Sequence, residues 1–346
     1  MNKRVEKLRN SIDDHTAVFI SGQANILYYS GFTSEDAFLI ISHDKAVIIT
    51  DSRYTIQAKI QSPDFELIDI SCGITEILKQ FPENIWYEED ELTVGQFNQI
   101  VSENKNFIPR QSEISFFRKF KDEYEINKIR QAEQIGDAAF SHILDYIKVG
   151  MTETEIALEL EFFMRKQGAS GLSFETIAAS GVRSCMPHGT ATDKKIENGD
   201  FLTLDFGCIF EGYCSDMTRT VAIGSVSEKQ KEIYDTVLKA QTTALSEISV
   251  GKKCCDIDKT ARNIIKDAGY GEYFGHGLGH SVGIMIHEAP TLSTRCIELI
   301  SEGNTLTVEP GIYIPDLFGV RIEDLVAVHN GKVENLTSSP KELIIL

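Results

Sequence analysis

The stretch GHGLGHSVGIMIHEAP, residues 275 to 290, places His276, His280 and His287, three of the chain's eight histidines, within twelve positions. Imidazoles grouped like this can ligate a metal or move protons. Carboxylates far away in the sequence bear on the choice. Asp205 and Asp216 flank a predicted tight turn in LDFGCIFEGYCSDMTRT. A turn centred on Phe210-Glu211 sets them directly opposite each other on one face, whereas a turn at Glu211-Gly212 slips the register and leaves them near neighbours. Glu309 and Glu323 lie in the same way on either side of IYIPDLFG. Opposed carboxylates repel, and Leu204, Phe206 and Met217 beside the first pair mark those strands as buried, so something cationic must compensate. Two divalent ions balance four acids. The oxygen-rich donor set favours Mn2+, with Co2+, Fe2+ or Zn2+ as alternatives. Two ions about 3.5–4 Å apart can share and activate a water and polarise a carbonyl, which is hydrolytic chemistry.

The histidines sort against that background. HGLGH has the i, i+4 spacing of a helical zinc motif but lacks its glutamate, and its two glycines argue against a helix. One imidazole as a nitrogen ligand beside four carboxylates fits better, with the others bonding a substrate carbonyl or a tetrahedral intermediate. His188, in MPHGT, takes in an earlier segment roughly the place that His287 takes here.

Such residues need matching frameworks to bring them together. Asp122 to Ile147 carries a helical apolar stripe opened by an Asp122/Glu125 capping box. After Val149-Gly150 a second helix opens on a Thr152/Glu155 box and closes at Gly168, and the hairpin with Asp205 and Asp216 follows. The order recurs about a hundred residues later. A Ser227/Gln230 box opens a long helix, Val250-Gly251 ends it, a shorter helix closes at Gly269, and NTLTVEP and GVRIEDLVAVH form another strand pair. Two helix–helix–hairpin units in tandem predict one pseudo-symmetric domain with a site between its halves. Earlier in the chain, strand-like runs (AVFISG, AFLIIS, KAVIIT) alternate with helix-like ones (SRYTIQAKIQ, GITEILKQF), an α/β pattern, and FIPRQSEIS reads as a connector. The expected division is a first domain over 1–117 and a second over 118–346.

A chain of 346 residues accommodates two domains with real cores. Its net charge of −18 argues against nucleic acid or an anionic membrane as partner. The start, MNKRVEKLRNSIDDH, lacks the apolar core of a secretory signal, and no run reaches the roughly 18 apolar residues of a membrane span. Seven cysteines without CxxC spacing fit a reducing compartment, so the expected location is cytoplasmic.

These motifs resemble the M24 metallopeptidases of the pita-bread fold, which include aminopeptidase P, prolidase and methionine aminopeptidase. The likeness covers nearly the whole chain. It runs through PHG at 187–189, LDFG at 204–207, YCSDMTRT at 213–220, GHGLGHSVG at 275–283, IHE at 286–288, VEPGIY at 308–313 and VRIED at 320–324. NILYYSGF at 25–32 and TDSRY at 50–54 resemble the creatinase-type N-terminal domain. The resemblance implies an α+β fold: a pseudo-symmetric pita-bread catalytic domain preceded by an α/β creatinase-type domain. It also implies five metal ligands, Asp205, Asp216, His280, Glu309 and Glu323, with Asp216 and Glu323 shared by both ions. In this family a metal-bridging hydroxide attacks the scissile carbonyl, Glu309 would handle its proton, and His188 and His287 would steady the intermediate and leaving amine. His276 and Arg321 match substrate-binding positions of the proline-specific branch. Strand alternation also puts Arg321 on the face of Glu323, where a structural ion pair is the plainer role. The implied activity is hydrolysis of the Xaa-Pro bond, at the N-terminus of peptides or in dipeptides, by a homodimer. The alternatives are methionine aminopeptidase-like activity and a non-catalytic binding protein on the same fold. Arg53 and Tyr54 read as local structure of the first domain, with a partner subunit's site as the other option.

Overall fold

Side-chain caps fix where the long helices of the second half begin. Asp122, Thr152 and Ser227 each accept from the backbone N–H three residues on, while Glu125, Glu155 and Gln230 reach back, opening helices Glu123–Tyr146, Glu153–Lys166 and Glu228–Glu247. The fourth helix, Cys254–Asp267, has no side-chain cap. Its first N–H groups, those of Cys254 and Cys255, bond the carbonyls of Glu298 and Cys296 instead. The computed structural model describes residues 3–101 and 104–346. Its contacts divide it into two units, Met1–Arg118 and Lys119–Leu346.

In the first unit six strands form one mixed sheet, and helices such as Gln23–Ser30 and Val94–Ile100 lie between them in sequence. Phe19, Ile40, Ile49, Leu78 and Ile85 belong to its buried core. The stretch expected to be a connector, 107 to 115, is instead regular: it supplies most of the edge strand Asn106–Pro109, parallel to Asn84–Tyr87, and the helix Gln111–Ser115. Its proline sits at the end of an edge strand, where a missing N–H removes no interior bond.

The second unit repeats itself. The first helix pair packs with Leu202, Leu204 and Phe206 of strand Phe201–Phe206, and the second pair packs with Leu306, Val308 and Val326 of strands Thr305–Val308 and Asp324–His329. Each half centres on a three-stranded sheet. One has Phe201–Phe206 between Ile177–Ser180 and Met217–Ala222, and the other has Asp324–His329 between Thr305–Val308 and Lys332–Asn335. Arg219, fully buried, crosses from one half to the other: its guanidinium bonds Asp324 Oδ1 at 2.8 Å and the carbonyl of Glu323. Among the described residues no helix is long and apolar enough to cross a membrane.

The turn that sets the first carboxylate pair is Glu211-Gly212, with φ of 47° and 85°, between paired Phe210 and Tyr213. Of the two turns the sequence allows, this is the one with the slipped register, and the turn centred on Phe210-Glu211 does not form. A two-residue hairpin turn of this type needs positive φ at both central positions, which glycine adopts freely and phenylalanine resists. Asp205 therefore pairs with Thr218, not with Asp216. Asp216 lies in the break between strands Tyr213–Cys214 and Met217–Ala222, at the position facing Gly207 in the same register.

Candidate metal centre

The register Val308↔Asp324, resumed at Gly311↔Arg321, brings Glu309 opposite Glu323 where the second ladder is interrupted. His280 arrives from a neighbouring strand, Gly279–Ser281, as its two glycines foretold. A Cβ on Gly279 would stand 2.0 Å from the Thr307 carbonyl oxygen, so only glycine lets this strand lie against the one leading to Glu309.

Asp216, His280 and Glu323 present ligand atoms that all lie within 4.8 Å of one another. His280 Nε2 is 3.5 Å from both Asp216 Oδ2 and Glu309 Oε1, which adds the fourth expected ligand. Asp205 faces Arg321, which donates to its Oδ2, while Oδ1 is buried with no hydrogen-bond partner among the described residues. Two threonines orient acids: Thr218 donates to Glu323 Oε2 at 2.6 Å and Thr307 to Glu309 Oε1 at 3.2 Å.

The electrostatics require positive charge. Burial pushes Asp216 well above the usual carboxylate range, and Glu323 and Asp205 push it further. Burial does the same to Glu323, helped by Glu309 and Asp205. Glu309 is pushed up to about 8, again first by burial. His280 is pushed down to about 4 by burial and by the His287 ring. His280 Nδ1 faces the Ser281 carbonyl at 3.1 Å, and a carbonyl can only accept. Nδ1 therefore keeps the ring proton, and Nε2 directs a lone pair at two carboxylates. That opposition, together with the orphaned Asp205 Oδ1, fits divalent cations bound by hard oxygen donors and one imidazole.

His188 and His287 are exposed. The His287 ring lies 4.4 Å from that of His280, and Pro187, next to His188, accepts from Arg321 Nη1 at 3.1 Å. His276 and Arg321 are joined through a residue the sequence reading missed, Tyr313. Arg321 Nη1 donates to the Tyr313 hydroxyl at 2.8 Å, and that hydroxyl lies 3.0 Å from His276 Nε2. Since His276 Nδ1 faces the Gly277 carbonyl at 2.8 Å, Nε2 is the acceptor and Tyr313 the donor. Burial, then Arg321, holds His276 down to about 4, so the ring is neutral. Arg321 pairs with Asp205, while Glu323 is reached through Thr218, which accepts from Arg321 Nε at 3.0 Å. A signal for Tyr313 was present: the hairpin that pairs Gly311 with Arg321 puts Tyr313 on the same face two residues on. Thr218 and Thr307 stand two residues from Asp216 and Glu309, and this alternation was their only mark. In the first unit, Arg53 bonds Asp51 and Asp36, and the Tyr54 hydroxyl bonds Asp36 at 2.8 Å.

Residues 127–330 match the metallopeptidase family M24, and residues 4–120 match the creatinase/prolidase N-terminal domain. The chain belongs to family M24. Its members are metallopeptidases that use divalent metals, and the fold is their pita-bread catalytic domain, preceded in sequence by a creatinase-type domain. An Xaa-Pro dipeptidase of Pyrococcus furiosus is 38% identical, over 99% of this chain and 100% of that one. The solved structure of an Xaa-Pro dipeptidase from Bacillus anthracis is 42% identical and covers 99% of both chains, with a TM-score of 0.96. That of an X-Pro aminopeptidase from Thermotoga maritima is 41% identical and covers 99% of this chain and 100% of that one, with a TM-score of 0.92.

Proposed function

We propose that residues 118–346 hydrolyse the Xaa-Pro bond of peptides with proline at the second position, using two divalent ions held by Asp205, Asp216, His280, Glu309 and Glu323. The observation that carries this is the group of buried Asp216 and Glu323 with half-buried His280, Glu309 beside it and too little positive charge to balance it. The donor set suits Mn2+ first, with Co2+, Fe2+ or Zn2+ as alternatives. Bound there, the ions supply an activated water and polarise the scissile carbonyl.

The chain's own groups do the rest. Thr307 occupies Glu309 Oε1, which leaves Oε2 to take up and return the proton. His188 and His287, with exposed rings, contact the substrate carbonyl and the departing amine. His276 and Arg321, locked to each other by Tyr313, bind the proline side of the substrate and keep its wall rigid. A tertiary amide before proline evades general peptidases, which is the reason for a dedicated site. The relatives that cleave Xaa-Pro substrates support this specificity. The reading includes a homodimer acting in the cytoplasm.

The test offers metal-stripped and Mn2+-loaded protein Ala-Pro, Ala-Pro-Ala and Met-Ala-Ser. Metal-dependent cleavage of the first or second supports the proposal. Cleavage of Met-Ala-Ser alone replaces it with methionine aminopeptidase activity, and no cleavage leaves a binding protein on an enzyme's fold.

A further inference from the structure

His188 rides on residues 181–191, which leave strand Ile177–Ser180 and contain one short 3-10 turn, Gly181–Cys185. Its ring is exposed, so its position follows from the backbone that carries it. Beside the backbone bridge Ile177↔Thr190 and the Lys194 bond to Ser180 Oγ, both ends of this segment converge on one carboxylate. Glu153, the first residue of helix Glu153–Lys166, is fully buried. Its Oε1 accepts from Ser180 N–H at 2.7 Å and from the Ser180 hydroxyl at 2.9 Å. Its Oε2 accepts from Thr192 N–H at 3.1 Å, the Thr192 hydroxyl at 2.8 Å and Arg183 Nε at 2.9 Å.

Ser180 and Thr192 bound the loop, and Arg183 lies within it. Arg183 Nη2 also bonds the Thr190 carbonyl at 2.5 Å, two residues from His188. A carboxylate offers about four lone-pair sites, so this one is saturated. The helix has no need of it, because Thr152 and Glu155 already form its capping box. A buried charge is costly unless every contact is made, and here all five contacts come from Arg183 and the two residues that bound the loop. At the loop's other side Ser184 Oγ accepts from Gly319 N–H at 2.9 Å and Pro187 accepts from Arg321.

We propose that Glu153 is a positioning residue: it clamps residues 180 and 192 together and so fixes where His188 meets the substrate. The kinetic part rests on the reading of His188 given above. Glu153→Gln keeps the shape but turns one acceptor into an amide donor, so one stem of the loop loses its partner. In the Mn2+-loaded enzyme, kcat on Ala-Pro-Ala should fall about ten- to a hundredfold, the scale expected for a displaced catalytic group, with KM and bound Mn2+ unchanged. Amide hydrogen exchange should quicken over residues 180–192 and stay constant elsewhere in the catalytic unit. The double variant Glu153→Gln/His188→Ala should match His188→Ala within about twofold, since a misplaced and a missing imidazole are equivalent.

Unchanged exchange in the loop, or a Glu153→Gln effect that multiplies in full onto His188→Ala, would overturn the proposal. If Glu153→Gln does not fold, Thr192→Val, which deletes one of the five bonds, takes its place: it too should quicken exchange in the loop and add nothing to His188→Ala, and failure of either expectation overturns the proposal equally. If His188→Ala alone is fully active, the role given to His188 falls, and the exchange measurement still decides whether Glu153 holds the loop.

Discussion

Asp216 stands where the charges crowd most, within reach of His280 and under the push of Glu323 and Asp205. Asp216→Asn removes a charge from that point and should abolish both metal binding and hydrolysis, measured by metal analysis and turnover. His287→Ala should retain its metal and lose about a hundredfold in kcat, as expected for a proton-handling or hydrogen-bonding group. Metal loss in His287→Ala would contradict the division between ligands and substrate contacts. The same crowding sets a pH dependence. Glu309 holds its proton in the folded state up to about 8, well above its ordinary 4.5, and burial raises Asp216 and Glu323 in the same direction. A carboxyl raised in this way contributes stability that is full below its unfolded value and is lost as pH rises towards the folded one. His276 and His280, held down to about 4, act oppositely, but only below their ordinary 6.5. Between about pH 6.5 and 8 these carboxyls and Glu133, which burial also pushes up to about 8, act in one direction, so the melting temperature of metal-free protein should fall as pH rises. Mn2+ takes the place of those protons, so its affinity should rise over the same window. A metal-free melting temperature that climbs from pH 6.5 to 8 would contradict the assignment.

At the level of strands and helices, the centre depends on close backbone approach and on one buried arginine. Gly279→Ala would force a Cβ to within 2.0 Å of the Thr307 carbonyl oxygen, displacing His280. Its expected signature is weakened Mn2+ binding together with lost stability. Arg219 and Asp324 are 1% and 0% exposed, and Arg219 also bonds the carbonyls of Thr218, Ser339 and Pro340. Arg219→Met leaves Asp324 without its guanidinium and should cost about 3–5 kcal/mol in denaturant melts, the cost of breaking a buried pair from one side. A loss below about 1 kcal/mol would show that Lys341, which also bonds Asp324, suffices. This is also the level where sequence reading succeeded and failed. The capping boxes at Asp122, Thr152 and Ser227 were legible because they are local, with donor and acceptor three residues apart. The glycines of HGLGH excluded a helix for the same local reason. The first hairpin's register depended on one turn residue, and a misplaced centre moves every cross-strand partner. The hairpin places Tyr313 beside Arg321, but its other partner, His276, comes from a separate segment, where sequence distance gives no guidance.

For the molecule as a whole, the repeat explains why ligands so far apart in sequence meet. Each half presents a hairpin whose ladder breaks at an acid, Asp216 in one and Glu309 with Glu323 in the other, and the halves meet where Thr218, two residues past Asp216, donates to Glu323. Sedimentation of the full chain should give twice the mass of 38.7 kDa, and a monomer would remove the proposed homodimer while leaving the chemistry intact. Comparing Ala-Pro with Ala-Pro-Ala then separates a dipeptidase from an aminopeptidase. Everything above turns on the metal centre, which titration of metal-stripped protein with Mn2+ probes while Ala-Pro and Ala-Pro-Ala hydrolysis is followed. Two ions per chain should be taken up, with hydrolysis appearing as they bind and neither occurring in Asp216→Asn. Protein that takes up no divalent ion and cleaves no Xaa-Pro peptide would contradict this.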